Sequence, residues 1–186
     1  MIAYEYNNKS IPFEHGYPLR LIVPQWYAMA SVKWIKQIQV IDWEFKGPFQ
    51  SKDYMYYPNK ENDKGAFPVT ILNVNSTIQK PLDKEILDTG NHVINGIAWT
   101  GKGYITNVKI STDGGDTWKD ANLENQEDKN YGWISWSYEW SVFEKGEYTI
   151  MSRATDSHNR TQPSSPFWNR KGYGYHAMDQ LTVKIE

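Results

Sequence analysis

From Ile134 to Phe143 the chain alternates: Trp136, Tyr138, Trp140 and Val142 fall on one side, Ser135, Ser137, Glu139 and Ser141 on the other. A period of two is the period of a β-strand, and apolar against polar means one face buried and one in water. Shorter stretches repeat the theme at Val69 to Val74, His92 to Thr100, Tyr104 to Ser111, Thr117 to Lys119, Tyr148 to Ala154 and Leu181 to Ile185. In the second, Val93, Ile97 and Trp99 favour one face, with Gly96 placed as a bulge. Asp113-Gly114-Gly115-Asp116 and Glu144-Lys145-Gly146-Glu147 punctuate the runs as turns. No long segment has a helical period, so helix is scarce. About seven short antiparallel strands over roughly 120 residues predict an all-β, immunoglobulin-like sandwich.

Composition agrees and narrows the function classes. Nine Trp, 13 Tyr and 6 Phe suit strands, and equally suit a stand-alone sandwich that binds carbohydrate or protein. A net charge of -2 and a pI near 6.1 provide no basic field for nucleic acid. The chain has no cysteine, which excludes disulfides and thiolate zinc sites and leaves the compartment undecided. No apolar run approaches the roughly 20 residues of a membrane span.

Residues 1–36 read as broken strand and loop, too short to bury a core alone, and 37–66 as a connecting strand and loop. Gln37 to Val40 continues into Asp42 to Phe45, and Lys46-Gly47-Pro48 breaks it. Asn59 to Lys64 is a charged, exposed connection. Within the first part stand His15-Gly16-Tyr17-Pro18-Leu19-Arg20, Leu21-Ile22-Val23-Pro24 and Ser31-Val32-Lys33-Trp34. Arg offers a planar fork, Lys a point charge and His a ring donor, so the set can converge on an anion such as a phosphate.

This order of motifs resembles the end of the molybdopterin domain of the sulfite oxidase family. The resemblance continues through Gly96-Ile97-Ala98-Trp99, Gly103 followed by Ile105, Ser111 to Trp118, Arg153 to Ser157 and Phe167 to Tyr173. These resemble the dimerisation domain of the same enzymes, an E-set sandwich placed here at 67–186. Asn59 to Ala66 and Leu123 to Asn130 are the less typical, loop-like stretches.

The resemblance implies that His15, Arg20, Ser31, Val32 and Lys33 contact the pterin and its phosphate. It implies that the loop bearing Trp168-Asn169-Arg170-Lys171-Gly172 reaches the substrate pocket. Sulfite-oxidising members carry an Arg just before that Gly; Lys171 keeps the charge without the fork, and Arg170 stands one residue earlier. The expected function is therefore part of a molybdenum-cofactor oxidoreductase that forms a homodimer and transfers an oxygen atom to a small anion. The family's molybdenum is held by a cysteine thiolate. A chain without cysteine is expected not to hold the metal alone, and the rest of the molybdopterin domain, upstream or on a separate chain, becomes a partner.

Other candidates read as structural. Asp113 to Asp116 lacks the further ligands of a calcium loop and is a hairpin turn. His15, His92, His158 and His176 have no zinc-site spacing. Thr155-Asp156-Ser157 beside His158 is loop hydrogen bonding rather than a triad, and Arg153 is expected in an ion pair.

Overall fold

The computed structural model describes residues 1–124 and 132–186. They form two compact units: Met1–Leu72 with Trp168–Gly174, and Asn73–Phe167 with Tyr175–Glu186.

The first unit is built from short pairs. Strands β1 (Ile2–Ala3), β2 (Glu5–Tyr6), β3 (Lys9–Ser10), β4 (Arg20–Leu21), β5 (Met55–Tyr56) and β6 (Phe67–Pro68) pair as β1 with β4, β2 with β3, and β5 with β6. Single 3₁₀ turns occupy Phe13–His15 and Ala28–Ala30, and one π-helical turn spans Phe49–Asp53. Residues 37–45 run as irregular backbone, leaving Ile38, Val40, Trp43 and Phe45 exposed.

The second unit is the sandwich. Its strands are β7 (Asn75–Lys80), β8 (Ile86–Leu87), β9 (Gly90–Trp99), β10 (Ile105–Ser111), β11 (Lys119–Asp120), β12 (Asn122–Leu123), β13 (Ile134–Val142), β14 (Gly146–Asp156) and β15 (Asp179–Ile185). One sheet has the order β11-β10-β14-β15-β8, the other β12-β13-β9-β7. Between them lie Ile94, Ala98, Val108, Ile110, Trp136, Trp140, Ile150 and Val183, each buried. Alternation on β13 is as the sequence indicates: Trp136, Trp140 and Val142 are inside, and Glu139 and Ser141 outside. The expectation for Leu123 to Asn130 falls mostly on residues outside those described.

Three readings of the strands are corrected. The first sandwich strand is β7, whereas Phe67–Pro68 and the Ile71 bridge to Trp26 serve the first unit. β7 escapes an apolar search because its inward residue Ser76 is polar, buried by hydrogen bonds with Ser152 Oγ (2.9 Å) and Gln162 Oε1 (2.7 Å). On β9 the inward residues are Ile94, Gly96 and Ala98, and Val93 is exposed. Gly96 is also no bulge: it pairs in continuous register with Trp136, and the irregularity lies on β7 between Ile78 and Lys80. Gly96 lacks a Cβ because one would stand 2.0 Å from the Thr77 carbonyl oxygen and 2.4 Å from Trp136 Cζ2.

Among the described residues Arg153 shows a ring contact in place of the expected ion pair. Its guanidinium stacks over the Trp118 ring at 4.3 Å, and the buried carboxylate of Asp156 pairs with Arg160 at 2.8 Å. The 113–116 segment closes the β10–β11 hairpin, with Asp113 accepting from Ser111 Oγ, Thr117 N–H and Thr117 Oγ1. Those donors hold its carboxyl well below the ordinary range.

Candidate functional site

The two N-terminal motifs are folded against each other by backbone and side-chain bonds. Leu21 N–H donates to Val32 O at 2.9 Å, and Ile35 N–H to Leu19 O at 3.2 Å. Lys33 Nζ donates to Glu14 O at 2.9 Å, Trp34 Nε1 to Phe13 O at 2.8 Å, and Val23 N–H to Ser31 Oγ at 3.2 Å. Gly16 makes the approach feasible. Its φ of +116° ends the 3₁₀ turn, and an added Cβ would lie 3.1 Å from Lys33 Cβ.

The result is a cavity of about 990 Å³ lined by His15, Arg20, Ser31, Val32 and Lys33 together. Arg20 is the pivot. One guanidinium nitrogen donates to His15 O at 3.3 Å, while its Nε is buried without a hydrogen-bond partner among the described residues. An unpaired N–H of this kind costs free energy unless an acceptor arrives, and a guanidinium prefers an anionic one. Lys33 retains donor capacity beyond its single carbonyl bond.

Sequence reasoning missed other residues of the lining. Trp26, Phe45, Phe49, Gln50 and Tyr54 also line the cavity, bringing aromatic surface to a site otherwise rich in donors. Phe49 and Gln50 enter through the π-helical turn, where Tyr54 N–H closes on Phe49 O at 2.8 Å and Ser51 Oγ donates to Gly47 O. Phe49 and Tyr54 stack with ring centres 5.9 Å apart. The available signal was the cluster of aromatics after Gly47-Pro48, which carries no motif of its own. Donor groups and flat rings lining one cavity suit a planar heterocycle bearing a phosphate.

Lys171 and Arg170 do not line that cavity. Lys171 Nζ donates to the Lys52 carbonyl and to Asp53 O (3.2 Å), and sits 3.6 Å from the Asp53 carboxylate. Arg170 pairs with Asp63, lies over the Tyr57 ring at 4.5 Å and donates its backbone N–H to Tyr57 O at 3.0 Å. Both cations thus pin the 168–174 segment within the first unit. Among the described residues no group of three or more His, Asp or Glu is placed to hold a metal.

Residues 1–49 match the family model of the oxidoreductase molybdopterin binding domain, and residues 67–184 that of the Mo-co oxidoreductase dimerisation domain. Mitochondrial sulfite oxidase of Mus musculus is 32% identical over the whole chain, which covers 36% of that protein; the Homo sapiens enzyme is 31% identical with the same coverage. Nitrate reductase [NADH] 2 of Phaseolus vulgaris is 32% identical over 92% of the chain and 22% of its own length. The chain thus spans about a third or less of these relatives. The crystal structure of the sulfane dehydrogenase SoxCD from Paracoccus pantotrophus shares the fold over all of the chain and 50% of its own, with a TM-score of 0.87 at 24% identity. Since the longer match covers most of the sequence, the chain belongs to the Mo-co oxidoreductase dimerisation domain family of sulfite oxidase-like proteins, and it carries a stretch of the molybdopterin-binding domain ahead of that domain.

Proposed function

We propose that this chain contributes one wall of a molybdopterin site and the homodimerisation domain of a sulfite oxidase-like oxidoreductase. The observation that carries the reading is the convergence of His15, Arg20, Ser31, Val32 and Lys33 on one cavity in which Arg20 Nε lacks an acceptor. Arg20 and Lys33 hold the pterin phosphate by charge-assisted hydrogen bonds, His15 adds a ring donor, and Ser31 and Val32 shape the backbone contact. When bound, the molybdenum cofactor supplies the redox centre for oxygen-atom transfer, with water as oxygen source and a separate electron acceptor. These 186 residues include no cysteine, so the thiolate ligand comes from the remainder of the molybdopterin domain, in cis or on another chain.

Lys171, with less weight Arg170, draws an anionic substrate toward the pocket in this reading. Both are paired with carboxylates, so an anion has to compete with Asp53 and Asp63. A stand-alone carbohydrate- or protein-binding sandwich is not favoured, because such a module has no use for the N-terminal motifs.

The test is pterin retention by the chain co-expressed with the remaining cofactor domain. Arg20→Ala and Lys33→Ala are each expected to lower bound molybdopterin by about tenfold or more, corresponding to roughly 1.4 kcal/mol or more. Wild-type molybdopterin content in both variants overturns the assignment. Lys171→Met is expected to raise KM for the anionic substrate with a smaller effect on kcat; an unchanged KM removes Lys171 from substrate binding.

A further inference from the structure

The π-helical turn Phe49–Asp53 supplies Phe49 and Gln50 to the cavity lining, and Tyr54 follows directly after it. Single π-helical turns are frequent at functional sites. The entry of this one is fixed locally. Gln50 N–H and Ser51 N–H donate to Gly47 O at 3.1 and 3.0 Å. Gly47 has no room for a Cβ, which would stand 2.5 Å from the Phe45 ring and 2.6 Å from Gln50 Oε1.

The exit is fixed from far along the chain. A helical turn ends in carbonyls that have no partner inside it. Phe49 O receives Tyr54 N–H at 2.8 Å, whereas Lys52 O and Asp53 O both receive Lys171 Nζ, the latter at 3.2 Å. The Tyr57 hydroxyl adds a 3.0 Å bond to Lys52 O, and the Asp53 carboxylate stands 3.6 Å from the Lys171 ammonium. An ammonium has three donors. Every hydrogen bond that this one makes among the described residues ends on the last two residues of the turn. Two positions on, the Tyr173 ring is tilted against that of Tyr54 at 5.7 Å, so the same segment also holds the ring that follows the turn. Lys171 lines no part of the cavity, yet it fixes the backbone of residues that do.

We propose that Lys171 is a positioning residue for the cofactor cavity: by capping the carbonyl end of the π-helical turn it sets where Phe49, Gln50 and Tyr54 stand, and so how tightly the cavity holds a planar heterocycle. This rests on the molybdopterin reading above and is separate from the substrate role of Lys171. A cation that only attracts substrate changes KM, whereas a cap on the turn changes cofactor retention with no substrate present. Molybdopterin content and amide hydrogen exchange, both measured without substrate on the chain co-expressed with the remaining cofactor domain, test it. Lys171→Met keeps the unbranched stem and removes the donors. It is expected to lower retained molybdopterin about threefold or more, and to speed exchange of the Ser51 and Tyr54 amides about fivefold while the β14 and β15 amides keep their rates. Lys171→Arg returns charged donors to the turn and is expected to restore both. Wild-type behaviour of Lys171→Met in either measurement overturns the positioning role, as does a Lys171→Arg variant no better than Lys171→Met. Arg20→Ala separates the two readings. Lost molybdopterin in that variant leaves the cavity assignment standing whatever Lys171 does, and wild-type content removes both.

Discussion

Asp156 has no solvent exposure, yet it stays ionised because its neighbours are arranged for a carboxylate. Burial pushes its pKa up. The opposing hydrogen bonds from Arg160 N–H, Thr100 Oγ1, His158 N–H and the Arg160 guanidinium prevail, and the group lies below its ordinary value. A carboxyl more acidic in the folded state than in the unfolded one stabilises the fold above the unfolded value of about 4. That contribution is lost as pH falls through the lower, folded value. Thermal unfolding followed from pH 7 downward is therefore expected to show the melting temperature dropping once the pH goes below about 4. Asp156→Asn is expected to flatten that part of the profile and to cost about 3 kcal/mol at neutral pH, since Arg160 then lacks its counter-charge. The sequence shows an acid with two nearby arginines, Arg153 and Arg160. It cannot say which is the partner, because that depends on the turn at 157–160 folding Arg160 back onto the strand end.

Among the elements, β13 was legible in full because its inner residues are large and apolar and its outer ones small and polar. β7 was not, since Ser76 is buried through Ser152 and Gln162 and looks exposed by composition alone. β9 misled in another way: Val93, Ile97 and Trp99 are its larger apolar residues, but they occupy the outer face. Hydrophobic periodicity assigns a face to the core only when the other face is polar, and β9 carries apolar side chains on both faces. The close crossing at Gly96 supplies the sharpest test of this sheet. Gly96→Ala is expected to destabilise the sandwich by about 3 kcal/mol, because its Cβ meets backbone and a fixed indole. Denaturant unfolding with an unchanged m-value gives the measurement, and a loss below about 0.5 kcal/mol contradicts the packing described.

Across the whole molecule, the donor side of the cavity was legible because five of its residues sit in two compact motifs. The aromatic side was not, since Phe45, Phe49, Gln50 and Tyr54 join it only through the backbone path after the motifs. Also invisible in chain order is the attachment of 168–174 to the first unit, made by Arg170 to Asp63, Lys171 to Asp53, and the Tyr173 ring tilted against that of Tyr54 at 5.7 Å. Removing both cations by Arg170→Ala with Lys171→Ala is expected to cost only about 1 kcal/mol overall, because the pairs are partly exposed. The same change is expected to speed proteolysis within residues 49–66 several-fold, and an unaltered cleavage rate there argues against the attachment. The arrangement also imposes an order on biosynthesis. When residue 72 is added to the nascent chain, the partners of Asp53, Tyr54 and Asp63 are still about a hundred codons from being translated. Asp53, Tyr54 and Asp63 therefore gain these partners only after most of the sandwich strands have been made, and a nascent chain stalled before residue 168 lacks the attachment.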